Sequence, residues 1–72
     1  MQRINITKII VDNNVRQRQD LGTEEELQEL ANSFKEVGQL NPIIIDRNYK
    51  LIAGHRRILA AQLLTWTEIG YE

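Results

Sequence analysis

The sequence predicts a small α+β domain built from two main helices and a few short strands. Three observations carry that reading. Residues 23–38 form a capped amphipathic run, residues 43–53 carry a β-hairpin pattern, and Gly54 leads the second hairpin strand into another helix. Residues 4–11 open the chain with Ile4, Ile6, Thr7, Ile9, Ile10 and Val11, a β-branched run that predicts a strand or strand-like edge. Asp12-Asn13-Asn14 breaks it, and residues 12–22 read as an irregular loop carrying two of the six arginines, Arg16 and Arg18.

The first helix is the clearest element. Thr23 can accept the Glu26 amide while Glu26 reaches back, a capping box. Glu24, Glu25 and Glu26 lie in the first turn, where the helix dipole favours negative charge. Leu27, Leu30, Ala31, Phe34 and Val37 follow at helical spacing, and Gly38 is a natural C-terminal stop. These glutamates therefore read as a solvated helix start rather than a metal cluster.

Pro42 keeps the preceding Asn41 extended. Ile43-Ile44-Ile45 is a short buried strand, Asp46-Arg47-Asn48-Tyr49 a turn with Asn48 suited to positive φ, and Tyr49–Ala53 the return strand. The second helix runs from about His55 to Leu64. Ile58, Leu59, Ala61, Leu63 and Leu64 keep to no narrow stripe, which predicts a helix central in the domain. Thr65 ends it, and Trp66–Tyr71 resembles the start of a last strand left open at Glu72, an edge able to pair with another domain or subunit.

Composition limits the chemistry. With 72 residues and 42% hydrophobic content, the chain can fold around one small core but not two. No cysteine excludes disulfides, thiol nucleophiles and cysteine-held zinc or iron–sulfur centres, and one histidine excludes a His-rich metal site. A net charge of -1 argues against a freestanding polybasic nucleic-acid binder. No apolar run is long enough to span a membrane, and no signal peptide opens the chain, so a cytoplasmic location is expected. Neither the phosphate-loop nor the dinucleotide glycine pattern occurs, Ser33 has no local histidine, and Asp12, Asp20 and Asp46 are scattered.

The sharpest feature is Gly54-His55-Arg56-Arg57 at a strand-to-helix junction. Such a junction offers backbone amides and the positive end of the helix dipole. Glycine permits close backbone approach, and two arginines add planar donor forks for phosphate oxygens. Cations in a first turn oppose the dipole, which a bound anion would offset. Alternatively, both arginines pair with Glu24–Glu26 or the terminal carboxylates. Asn14, Arg16 and Arg18 either fold over the junction as further ligands or belong to a solvated loop. His55 reads as a packing or hydrogen-bonding residue, or as one facing a phosphate.

These residues support a family resemblance. Asn14-Val15-Arg16, Glu26–Phe34, Gly38-Gln39-Leu40-Asn41-Pro42-Ile43 and above all Leu51-Ile52-Ala53-Gly54-His55-Arg56-Arg57-Ile58-Leu59-Ala60-Ala61 resemble the amino-terminal domain of the ParB family, within the ParB/sulfiredoxin superfamily. The likeness covers nearly the whole chain. It implies a small mixed β-sheet packed with two helices, and a domain that binds CTP, which some members hydrolyse in a DNA-clamping cycle.

The family's Gly-Glu/His-Arg-Arg box matches Gly54, His55, Arg56 and Arg57, its upstream arginine loop matches Asn14, Arg16 and Arg18, and Gln39 stands where a hydrophobic residue is commoner. Sulfiredoxins carry their catalytic cysteine where this chain has His55, so their chemistry is excluded. Classical partition proteins continue into a helix–turn–helix domain and a dimerisation domain that residues 1–72 do not contain.

The resulting expectation is one ParB-like domain, 1–72, belonging to a longer protein. It would bind CTP, another nucleotide or nucleic-acid phosphate, in DNA partition or transcription regulation, with Mg2+ if hydrolysis occurs. It would reach DNA through downstream domains or a partner, and could form a homodimer. The alternatives are a metal-dependent DNA nuclease, a non-catalytic interaction module, and an ADP-dependent kinase of a small molecule.

Overall fold

The computed structural model describes residues 1–11 and 23–72. The elements are β1 (Gln2–Asn5), a 3-10 turn (Ile6–Lys8), α1 (Glu24–Val37), β2 (Ile44–Ile45), β3 (Leu51–Ala53), α2 (His55–Leu63) and β4 (Glu68–Tyr71). The expected α+β architecture with two main helices is present.

Two antiparallel ladders form the sheet. β1 pairs with β4 from Gln2↔Tyr71 to Asn5↔Glu68, and β2 pairs with β3 through Ile44↔Ala53 and Ile45↔Leu51. Parallel bridges join and extend them, Ile43 with Tyr71 and Ile10 with Lys50. The order across the sheet is therefore β1, β4, β2, β3 and the segment at Ile10, and the sheet is mixed.

The first run is not one strand. Asn5 Oδ1 accepts from the Thr7 amide at 3.0 Å and the Thr7 hydroxyl at 2.8 Å, turning the chain into the 3-10 segment. A short polar side chain here competes with the strand ladder and wins. The chain returns to strand pairing at Ile10, whose amide donates to Tyr49 O at 2.8 Å.

The last strand also departs from expectation. β4 has β1 on one side. On the other, Ile43 N donates to Gly70 O at 3.0 Å and Glu72 N to Ile43 O at 2.8 Å. Its end, Gly70–Tyr71, is therefore paired on both sides and is not the open edge expected there.

Gln39 explains how this parallel pairing begins. Its Nε2 donates to Gly70 O and Asn41 O, both at 2.9 Å, and its Oε1 accepts the Gly70 amide. The side-chain amide thus stands in for a strand partner just before Pro42, which has no N–H to give.

Ile4, Ile43, Ile45, Leu51, Ile58, Ala61 and Ile69 form the main core between the sheet and α2. Ile43 and Ile69 are fully buried, and each contributes about 1.5–3 kcal/mol by burial. A second cluster, Ala31, Phe34 and Ala60, packs α1 on α2. Trp66 joins the two clusters and stacks on Phe34 with ring centroids 5.4 Å apart. Val37, expected in the apolar stripe, ends α1 exposed. α2 is less enclosed than its composition suggests, since Leu63 is exposed and Leu59 lines an open groove against α1.

In the hairpin turn, positive φ falls on Tyr49 (65°), one residue later than expected. Asp46 Oδ1 accepts the Asn48 and Lys50 amides at 2.8 and 2.9 Å, which holds Asn48 in the turn and pushes the left-handed conformation onto Tyr49. A bulky residue is strained there, so Tyr49→Gly is expected to stabilise the domain by about 1 kcal/mol in denaturant unfolding. Gln39→Leu leaves the Gly70 amide without its partner and is expected to cost about 1–3 kcal/mol by the same measurement.

Candidate functional site

Gly54 sits where β3 ends and α2 begins, as N-cap in the left-handed region with φ 107° and ψ 24°. A side chain there would meet Ile43. An added Cβ would lie 2.8 Å from Ile43 Cγ2 and 3.1 Å from Ile43 Cα. Both the dihedral and the contact demand glycine.

The consequence for α2 is an N-terminus without a side-chain cap. Gly54 O accepts from Arg57 N and Ile58 N at 3.0 and 3.2 Å, but residue 54 has no side-chain oxygen to cap the turn. No acidic residue lies in that turn; it carries His55, Arg56 and Arg57 instead. This contrasts with α1, where Thr23 Oγ1 accepts the Glu26 amide at 3.1 Å and three glutamates complement the dipole. The capping box is only half formed, because the Glu26 carboxylate faces the Thr23 hydroxyl at 3.5 Å rather than the backbone.

The two arginines differ. Arg56 Nη2 lies 3.6 Å from Glu26 Oε2 across the α1–α2 interface, in a half-exposed pair. Its Nε is buried and has no acceptor among the described residues. Arg57 is half-buried and has no ion pair among the described residues. Intramolecular pairing with one first-helix glutamate, Glu26, and an unsatisfied donor therefore coexist on Arg56. His55, also half-buried, opens α2 beside them. Of the expected site residues, the structure brings Gly54, His55, Arg56 and Arg57 together, while Asn14, Arg16 and Arg18 lie outside the described residues.

Ile43 was not foreseen as a site residue, since its contact with Gly54 arises only when the 43–45 segment lies beside β3. Among the described residues no group of three or more His, Cys, Asp or Glu could hold a metal ion, and no helix is long and apolar enough to cross a membrane.

A small mixed sheet, two packed helices and a strand–glycine–helix junction bearing two arginines define an α+β domain whose second helix starts on basic residues. The family model for the ParB N-terminal domain matches residues 1–71. The chain belongs to that family.

Among its relatives, the probable chromosome-partitioning protein ParB of Rickettsia felis is 41% identical over 69 residues, 96% of this chain and 23% of that protein. The ParB-like nuclease domain-containing protein YnaK of Escherichia coli is 42% identical over 40 residues, 56% of this chain and 46% of that protein. The chain thus spans less than half the length of these relatives.

Caulobacter crescentus ParB complexed to the centromeric parS site superposes with TM-score 0.82 at 27% identity, over all of this chain and 39% of that one. The same protein complexed with CTP-gamma-S gives 0.77 at 28% identity, over 94% of this chain and 40% of that one. The mixed sheet and paired helices are the family architecture.

Gly54→Ala is expected to destabilise the domain by about 2–4 kcal/mol, combining left-handed strain with overlap on Ile43. Gly38→Ala, where φ is also positive but a Cβ meets nothing within 4 Å, should cost only about 1–2 kcal/mol. Equal losses in denaturant melts would show that the close approach to Ile43 carries no energy.

Proposed function

We propose that this chain is the nucleotide-binding module of a DNA-partition protein, taking the phosphates of CTP or a similar nucleotide at the Gly54–Arg57 junction. The observation that carries the reading is an α2 start with no side-chain cap, no acidic residue and two arginines, one with a buried, unsatisfied Nε. Such a helix start is electrostatically unfavourable alone and favourable around an anion.

A triphosphate fits these donors. The positive end of the α2 dipole faces its oxygens, Arg56 and Arg57 offer charge-assisted forks, and the missing Cβ at Gly54 keeps the approach open. His55 lies close enough in sequence to face the same phosphates. Asn14, Arg16 and Arg18 complete the site on the strength of the family match.

The phosphate oxygens themselves would hold Mg2+, which would neutralise part of their charge. The C. crescentus ParB complex with CTP-gamma-S supports this choice of ligand. The complex of that protein with parS supports a role in DNA partition, exercised in the full-length cytoplasmic protein through domains following this one.

Titration of CTP, ATP, GTP and ADP, with and without Mg2+ and short DNA, tests the reading. Binding of one nucleotide triphosphate is expected, weakened about tenfold or more in an Arg56→Ala/Arg57→Ala variant. Equal affinity in the two proteins overturns it.

A further inference from the structure

We infer that Glu26 is an internal competitor for Arg56, so that phosphate binding at the α2 start exchanges one anion for another and is tempered by the first turn of α1. This rests on the phosphate-binding reading of Gly54–Arg57 and adds to it a residue from another element.

The geometry is specific. Glu26 is one of three glutamates in the first turn of α1, but it alone of the three pairs with Arg56, at 3.6 Å. The pair spans the interface fixed by Ala31, Phe34 and Ala60, so its two ends are held by packed helices rather than by a flexible loop. Its carboxylate also faces the Thr23 hydroxyl, which caps α1 through the Glu26 amide. Arg56 is therefore divided: one terminal nitrogen faces a carboxylate while the buried Nε has no acceptor among the described residues.

A guanidinium offers its donors in one plane, and a phosphate engaging two of them must compete with a carboxylate already placed at one. The carboxylate also repels an incoming polyanion directly. Both effects lower affinity. Both are modest, because the side chains are 41% and 53% exposed and solvent screens half-exposed pairs.

The experiment uses Glu26→Gln, which keeps helix propensity, the backbone cap and an acceptor for Thr23 while removing the charge. Affinities for CTP with Mg2+, and for inorganic triphosphate as a probe without a base, are measured in wild type, Glu26→Gln, Arg56→Gln and the double variant. Circular dichroism and thermal unfolding establish that each is folded.

Glu26→Gln is expected to tighten both ligands about two- to fivefold, and to have a smaller effect in the Arg56→Gln background. Unchanged or weaker binding in Glu26→Gln, with wild type binding normally and Arg56→Gln impaired, overturns the competitor role and leaves the site standing. Equal tightening in the Arg56→Gln background also overturns it, since Glu26 would then act without Arg56. Absence of binding in wild type overturns both the site and the inference.

Discussion

Ile43 and Gly54 approach so closely that even a methyl group between them would overlap the Ile43 side chain, and much of the domain's geometry depends on that approach. Ile43 is fully buried, begins the segment that pairs with β4, and faces the point where β3 gives way to α2. Gln39 holds the same segment onto Gly70 from the other side of Pro42. The central segment thereby presses the α2 start into a left-handed, glycine-only turn. That turn denies α2 a side-chain cap. A packing constraint in the core thus produces a chemical property, a helix start whose N-cap residue supplies no side-chain oxygen.

The two helices resolve the same electrostatic problem in opposite ways. α1 has a threonine cap and three glutamates at its start; α2 has neither and adds two arginines. The first arrangement complements the helix dipole, while the second opposes it, which is the basis of the proposed anion site. Their meeting at Glu26 and Arg56 places surplus negative charge from one helix against surplus positive charge from the other. The pair is too exposed to dominate stability, which is what the proposed exchange of partners at Arg56 requires.

Much of this was legible in the residues. Local signals located both helices, the hairpin and the Gly54 junction, because caps, glycine stops and turn residues act over three or four positions. The Gly54-His55-Arg56-Arg57 box and its order relative to the other segments pointed to the family. Other features depended on tertiary contacts. The 4–11 run has strand composition throughout, but the Asn5 side chain redirects it at Thr7. Trp66–Tyr71 looked like an open edge because the segment paired beside it, 43–45, lies more than twenty residues earlier in the chain. Gln39 looked like a departure from the family pattern, and its two bonds to Gly70 account for it.

The central claim is that the uncapped start of α2 receives phosphate. Amide chemical-shift mapping of the 15N-labelled chain, titrated with CTP and Mg2+, tests it most directly. The account predicts saturable shifts that are largest at Gly54, His55, Arg56 and Arg57, with smaller ones at Thr23–Glu26 across the interface. Saturable shifts confined to residues away from this junction, such as β1 and the Asp46–Lys50 turn, with residues 54–57 unmoved, would contradict it.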